Sequence, residues 1–273
     1  MNSLFWKRRI SKFYPDLIRK KNLRKIILIY HAIGGGSWAV STDTFTKHIQ
    51  WLNQYCYIVP LTELLSGSDE KNKIQVALTF DDGYACLYHT VLPILQTENA
   101  SATVYINTGW MGESENFRKS SRPDLGHYPD EKFLIWDEVK ALEKNGWEIG
   151  SHGVDHIDLT QQPIEIIRSE LENSKLHIEQ QLQKKCTHFA YTWGKHSKQL
   201  REAVAQAKYE FAVAGHHAPL KNNSNPVALP RLNIQQDYSL KDFEHIILGK
   251  WDFLGVIQYA KRRFLRGEVC EPL

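Results

Sequence analysis

Apolar positions along this chain follow two spacings, and each spacing predicts a different secondary structure. Short runs rich in Val, Ile, Phe and Tyr, bounded by polar or turn-forming residues, are typical of buried strands. The predicted strands are 25–31, 74–80, 101–107, 147–151, 187–193, 209–215 and 226–234.

Helical spacing occurs between these runs. In segment 42–55, Phe45, Ile49 and Leu52 fall on one helical face. Further helices are predicted at 136–146, 163–185 and 197–208. Strands that alternate with helices predict a parallel sheet, and 273 residues suffice for one α/β domain of the barrel or doubly wound type.

Polar residues recur where the predicted strands end. They are His31, Asp81, Asp82, Asn107, His152, Trp193 and Gly194. Because ligands gather at the carboxyl ends of strands in α/β proteins, these positions predict a single site. The Gly- and Pro-containing stretch 109–133 is predicted to be an irregular loop that covers it.

Composition bears on the redox state of the cysteines, the cellular location and the domain organisation. The four cysteines are scattered without a CxxC pair, which indicates reduced thiols rather than a zinc knuckle or a disulfide framework. The sequence has no apolar segment typical of a signal peptide or a membrane span, so we expect a cytoplasmic protein. We expect a basic extension at 1–24 and one catalytic domain at 25–273.

Charge is concentrated at the N-terminus. Residues 1–25 carry nine Lys or Arg and one acid, a net charge of +8, so the rest of a +3 chain is −5. With Phe5, Trp6, Phe13 and Tyr14 nearby, the segment suits either a peripheral contact with the inner membrane or a solvated basic helix. No nucleic-acid partner is expected, because the remainder is acidic and lacks a recognition motif.

Adjacent carboxylates end the strand at 74–80. Asp81 and Asp82 precede Gly83, and alternation along a strand would bury one of the two charges at a cost. A metal cation, a basic partner or a solvated turn would each compensate it.

A pair of histidines follows the strand at 147–151. His152 and His156 are four residues apart, a spacing that points both imidazoles the same way on a helical turn, although twelve histidines make a chance pair common. One carboxylate with two imidazoles suits a divalent metal with open positions. The second carboxylate is then available as a general base.

Together these motifs resemble a known family. TFDDG at 79–83 and SHGVDH at 151–156, with ILIYHAI, FAYTWG and ALPRLNI in the same order, are similar to the polysaccharide deacetylases with a NodB-like domain, carbohydrate esterase family 4. The resemblance covers roughly 25–250. It implies a distorted (β/α) barrel and a divalent metal, usually Zn²⁺.

The resemblance also implies roles for individual residues. Asp81 resembles the catalytic base of the family, and Asp82, His152 and His156 resemble its metal ligands. Arg231 resembles the arginine that pairs with the base.

Substrate contacts are implied in the same way. The backbone amide of Trp193 matches a group that polarises the acetyl carbonyl, and Tyr191 or Trp193 is expected to border the sugar. His31 is expected to face the site or to form a structural hydrogen bond.

Two departures from the family pattern stand out. Gly153 follows the first histidine ligand where the family often has Ser or Thr, so support for the metal loop is missing or comes from elsewhere. The late histidine motif that supplies a general acid has no clear match, and His216, His217 and His245 are weak candidates.

The expected activity is metal-dependent removal of acetyl from an N-acetylhexosamine of a bacterial glycan or of its lipid-linked precursor. An O-acetyl esterase, another carbon–nitrogen hydrolase, and a non-catalytic carbohydrate-binding module remain alternatives. Neither the sugar nor its linkage follows from the sequence.

Overall fold

The computed structural model describes residues 3–13, 24–67 and 73–265. Its centre is a parallel sheet of eight strands. The strands are β1 Lys25–Tyr30, β2 Cys56–Ile58, β3 Ile74–Phe80, β4 Thr103–Ile106, β5 Glu148–Ser151, β6 His188–Ala190, β7 Phe211–Val213 and β8 Leu232–Asn233.

Helices connect the strands, as the alternating spacing predicts. The α-helices are α1 Ser3–Phe13, α2 Thr42–Tyr55, α3 Leu61–Ser66, α4 Leu92–Thr97, α5 Trp136–Lys144, α6 Ile164–Leu182, α7 Lys198–Gln206, α8 Leu240–Ile247 and α9 Phe253–Leu265. Ser197 caps α7, since its Oγ accepts a hydrogen bond from Leu200 N at 3.2 Å.

The sheet curves into a distorted barrel, which confirms the predicted fold class. The strand order is β7-β6-β5-β4-β3-β1-β8, and β2 also pairs with β3. The segment that leads into β8 links the two edges, because Leu229 bridges Val213 of β7 while Leu232 pairs with Leu28 of β1. Every named strand pair is parallel, so all carboxyl ends lie on one face of the barrel.

Aromatic rings fill the core around the central strand. Phe80 is fully buried, and its ring lies 5.6 Å from Tyr30, 5.9 Å from Phe45 and 5.7 Å from Trp147. Burial of rings of this size is a large part of the hydrophobic stabilisation of a domain. It holds the end of β3 in a fixed position.

The late strand predicted at 226–234 is much shorter in the structure. Only Leu232–Asn233 is a strand. Pro226 and Pro230 have no backbone N–H to donate to a ladder, which limits pairing in the first part of this segment.

The N-terminal segment contains a helix that packs on the domain. Leu4 is buried, Arg8 forms an ion pair with Asp242 at 2.6 Å, and Ser11 Oγ lies 3.4 Å from His245 Nδ1. Among the described residues, no helix combines the length and apolarity needed to cross a membrane.

Candidate active site

The two adjacent aspartates form the turn that leaves β3. Asp81 continues the sheet, since its N–H donates to Tyr30 O at 3.1 Å. Asp82 has a φ of 73° and Gly83 one of 75°, so the chain reverses sharply here. A Cβ on Gly83 would lie 2.9 Å from Ile106 Cγ2, which explains the glycine at this position. Both carboxylates are buried at this turn, whereas a regular strand would bury only one of the two.

Arg231 compensates the first carboxylate. Its Nη1 donates to Asp81 Oδ1 and its Nη2 to Asp81 Oδ2, both at 2.7 Å, which is the bidentate geometry expected of a strong pair. The guanidinium is also held by Ala214 O at 3.1 Å from Nε and by Thr79 Oγ1 at 3.2 Å from Nη1. The arginine predicted to pair with the base is thus in place.

This pairing keeps Asp81 ionised despite its burial. Burial alone raises the pKa of the Asp81 carboxyl, but the positive charge of Arg231 and its hydrogen bonds to this carboxylate outweigh burial and lower the pKa below its usual range. A carboxylate that stays ionised at neutral pH can accept a proton.

The second carboxylate faces the two predicted histidines. Asp82 Oδ1 lies 3.5 Å from His152 Nε2 and 3.4 Å from His156 Nε2, and one ligand atom from each of the three residues lies within 4.8 Å of the others. All three side chains are buried. The structure therefore brings together the three residues predicted as metal ligands.

The orientation of these side chains fits a metal ion. His152 Nδ1 lies 2.7 Å from Ala190 O, and His156 Nδ1 lies 2.6 Å from Leu125 O. Donation from each Nδ1–H to a carbonyl leaves the lone pair on Nε2 directed at the shared space, as is typical of metal-binding histidines. Asp82 Oδ1 is buried without a hydrogen-bond partner, which also suits a cation.

Support for the loop between the two histidines comes from α6. Glu170 Oε2 accepts hydrogen bonds from Val154 N at 2.7 Å and from Asp155 N at 3.0 Å. A Cβ at Gly153 would lie 2.9 Å from the same oxygen. Glu170 thus supplies the support expected from a Ser or Thr side chain at position 153.

Aromatic rings surround the metal-ligand cluster. Trp193 is 45% exposed, has a φ of 53°, and its ring lies 4.5 Å from that of His156. His31 directly follows β1. Its half-buried ring stacks on the ring of Tyr128, with 5.2 Å between the centroids and an interplanar angle of 16°. Trp38, half exposed, meets the same tyrosine edge-on at 5.8 Å.

The structure corrects one of the two aromatic residues expected at the sugar. Tyr191 is fully buried, and its hydroxyl donates to Val227 O at 2.7 Å. Its ring packs against Phe189 in the core. Trp193 is exposed beside the site and Tyr191 is not, because Tyr191 directly follows β6 and packs into the core, whereas Trp193 lies within the tight turn Thr192–Gly194.

The candidates for the late histidine lie in other surroundings. His245 is on α8 beside α1, and His217 is buried with its backbone N–H donating to Gln258 Oε1 at 2.8 Å. His216 lies 6.4 Å from His196, measured between ring centroids. None of these contacts involves Asp81 or Asp82.

Sequence reasoning missed a histidine in the covering loop. His127 is fully buried, and its ring lies 4.9 Å from His156 and 5.0 Å from Trp110. The same loop provides Leu125 O to His156. The loop residues stand in no short motif. They approach His156 through contacts between residues about 30 positions apart in the sequence, which the local pattern does not predict. The predicted irregular loop at 109–133 does pack over the site.

The arrangement suits metal-assisted hydrolysis, with three residues able to hold a divalent ion beside an ionised, arginine-paired carboxylate. Comparison with known proteins gives the family. Residues 68–212, more than half of the chain, match the polysaccharide deacetylase family. The chain belongs to this family, and the resemblance predicted from its motifs is confirmed.

Individual relatives agree with the match. The poly-beta-1,6-N-acetyl-D-glucosamine N-deacetylase of Staphylococcus aureus (strain MRSA252) is 26% identical over 228 residues, which cover 79% of this chain and 73% of that protein. The structure of the Streptococcus pyogenes deacetylase PplD in complex with acetate has a TM-score of 0.68 at 23% identity and covers 82% of this chain and 98% of its own. For IcaB from Ammonifex degensii the TM-score is 0.69 at 16% identity, with coverage of 85% and 98%. These two structures show the same fold.

The predicted enzyme class is therefore confirmed: the chain is a polysaccharide deacetylase, a hydrolase of the amide-cleaving type. Of its central residues, His31 and Arg231 lie outside the matched segment 68–212. They reach the site because β1 pairs with β3 and because the segment before β8 closes the barrel.

Proposed function

We propose that this enzyme removes the acetyl group from N-acetylhexosamine units of a bacterial glycan in a metal-dependent reaction. The observation that carries the proposal is that the two adjacent aspartates have different partners. Asp82 faces the histidines, whereas Asp81 is bound by Arg231 and remains beside the triad. The N-deacetylase relatives in Staphylococcus aureus favour an amide over an ester as the bond that is cleaved.

Asp82, His152 and His156 would hold the metal. When bound, a divalent ion such as Zn²⁺ lowers the pKa of water and polarises a carbonyl group. The site residues supply the proton chemistry. Asp81 Oδ2, which lies 4.0 Å from His152 Nε2, is the oxygen of this carboxylate nearer to that ligand and would accept the proton of the attacking water.

Two further groups would act on the substrate. The Trp193 amide would donate to the oxyanion that develops from the acetyl carbonyl, as such donors do in acyl transfer. The Trp193 ring, exposed beside His156, would border the sugar.

His31 is our candidate for the proton donor to the leaving amine. It lies after β1 on the same face as the aspartates, close enough for a positive charge on its ring to lower the pKa of both carboxyl groups. Its stacking on Tyr128 fixes the ring while leaving it half-buried at the site. Of the histidines outside the triad, it combines this proximity to both aspartates with partial exposure.

The finer expectations about substrate and location also remain proposals. They are a lipid-linked sugar precursor as the substrate and a cytoplasmic location that allows peripheral contact with the inner membrane. The net charge of +8 over residues 1–25 supports membrane contact, and it does not identify the substrate.

The proposed activity is tested by measuring acetate and free amine released from oligosaccharides of N-acetylglucosamine, with an O-acetylated xylan as the ester control. We expect equal amounts of acetate and amine from the first substrate and little acetate from the second. Acetate released only from the ester would replace the proposal with an O-acetyl esterase. Absence of turnover on both, with a metal bound, would favour a binding module or a different carbon–nitrogen hydrolase.

Substitutions assign the two proton-transfer roles. Asp81→Asn should retain fold and metal while turnover falls by about 10²–10⁴-fold, since an amide cannot accept the proton. His31→Gln should retain metal and should slow amide substrates more than activated esters, whose leaving groups need no proton. Activity within a few-fold of wild type in either variant would move that role to another residue.

A further inference from the structure

Helix α1 is amphipathic in an unusual sense, because its exposed face carries the larger apolar side chains. Leu4 and Ser11 are buried against the domain. The opposite face is exposed along the whole helix. Its residues and their exposed fractions are Phe5 54%, Trp6 42%, Ile10 40% and Phe13 83%.

Specific contacts hold the inner face in place, so the orientation of the helix is fixed. Arg8 pairs with Asp242, and Lys7 Nζ donates to Tyr238 OH at 3.1 Å. Lys7 also lies 5.7 Å from the centre of the Trp251 ring. The helix therefore cannot bury its aromatic face by rotating without breaking these contacts.

Cations lie among the exposed rings. Arg9 lies 5.8 Å over the Trp6 ring, Lys12 is exposed one turn further along, and α1 contains no Asp or Glu. The spacing of 100° per residue places Arg9 between Phe5 and Phe13 on the outward face. Aromatic rings interleaved with Lys and Arg are typical of helices that lie in the interface of an anionic bilayer.

Helix α9 begins close to α1 and has a similar composition. Trp251, which contacts Lys7, lies two residues before the start of α9. That helix has three Lys or Arg and no acid, and its Val256 and Ile257 are 58% and 41% exposed. Neither helix is long and apolar enough to span a bilayer.

We infer that the outward face of α1 is a docking surface for anionic lipid, with the helix lying flat in the headgroup region. Residues 26–273 have a net charge of −5 and would be repelled by an anionic lipid surface. Contact is therefore restricted to the part of the molecule near the basic N-terminal segment. The inference does not depend on the identity of the sugar substrate.

Vesicle co-sedimentation tests the inference with the full chain. We expect binding to phosphatidylcholine vesicles only when phosphatidylglycerol is included, and weaker binding as salt is raised. Phe5→Ser/Trp6→Ser and Arg9→Glu/Lys12→Glu should each weaken binding by more than about tenfold, because they remove apolar insertion and charge attraction separately.

Matched controls keep the number and type of changes constant. Tyr55→Ser/Tyr57→Ser alters exposed rings elsewhere, and Lys144→Glu/Lys198→Glu alters exposed cations elsewhere. Both should bind as wild type does, and all four variants should hydrolyse a soluble substrate and melt as wild type does. Wild-type binding by either α1 variant, or no binding by wild type at low salt, would overturn the inference. A wild-type dimer that the α1 variants convert to a monomer would instead identify this face as a self-association surface.

Discussion

At the scale of single residues, the proposed chemistry depends on two neighbouring carboxylates with different partners. Asp81 has Arg231, and Asp82 has the space between two imidazole Nε2 atoms. Burial would otherwise make either charge costly. The left-handed φ of 73° at Asp82 allows both side chains to be buried. Backbone strain at a turn is thus used to place two acids that a regular strand would separate.

Replacing Arg231 with Met tests the pairing. The variant leaves Asp81 buried and uncompensated, and we expect the free energy of unfolding to fall by about 3–5 kcal/mol. Chemical denaturation measures this loss. Arg122→Met is the matched control, since its pair with Asp124 is more than half exposed and its loss should leave the free energy of unfolding close to that of wild type.

The same variant also has a signature in the pH profile. Because Arg231 lowers the pKa of Asp81, the ionised base persists as pH falls until that lowered pKa is reached. Without the guanidinium, the acid limb of kcat/KM should move to higher pH. An unchanged acid limb in a folded, metal-loaded variant would show that another group controls it.

At the scale of elements, α6 positions the metal loop through one side chain. Glu170→Ala removes the acceptor for the N–H groups of Val154 and Asp155. Zinc affinity should weaken by about 10–100-fold, as is common when the groups that orient ligands are removed. Glu172→Ala, an exposed change on the same helix, is the control, and Glu170→Gln should be intermediate because it keeps an acceptor oxygen. Equal zinc affinity in wild type and Glu170→Ala would refute this role.

The buried histidine His48, at the contact between α2 and α8, makes the free energy of unfolding depend on pH. His48 on α2 stacks on Phe243 of α8 at 3.9 Å, and burial lowers its pKa to about 3. Since the unfolded histidine titrates near 6.5, its contribution to stability is complete above that pH and is lost as pH falls from there towards the folded pKa. Between pH 8 and 5 this amounts to about 2 kcal/mol.

His48→Gln isolates this contribution because glutamine does not titrate. The variant should be less stable at pH 8, where the packing of the ring on Phe243 is lost, yet its stability should fall less between pH 8 and 5 than that of wild type. Urea unfolding at the two pH values measures both. The same pH slope in both proteins would show that His48 is protonated without penalty.

At the scale of the whole molecule, local patterns predicted the centre of the barrel best. The segments 25–31 and 74–80 are continuous apolar runs, and they fold as β1 and β3 almost as predicted. The prediction fails at the closing segment before β8, where two prolines interrupt pairing. For the N-terminal segment the sequence left open a membrane contact or a solvated basic helix; residues 3–13 form helix α1, and its larger apolar residues face outward.

The same contrast holds for the active site. Asp81, Asp82, His152 and His156 stand in short motifs, so their clustering was predictable. Contacts that join distant parts of the chain, such as Glu170 to the metal loop, have no local signature. The burial of Tyr191 likewise depends on packing after β6, which neighbouring residues in the sequence do not specify.

The central claim is that activity requires one divalent ion held by Asp82, His152 and His156. The most direct measurement is a titration of chelator-stripped enzyme with zinc, in which bound metal and the rate of acetate release are followed together. We predict negligible release at the start, full recovery at one equivalent per chain, and neither tight zinc binding nor recovery in His152→Ala. Full activity of the stripped enzyme, or equal zinc binding and turnover in His152→Ala, would contradict the account.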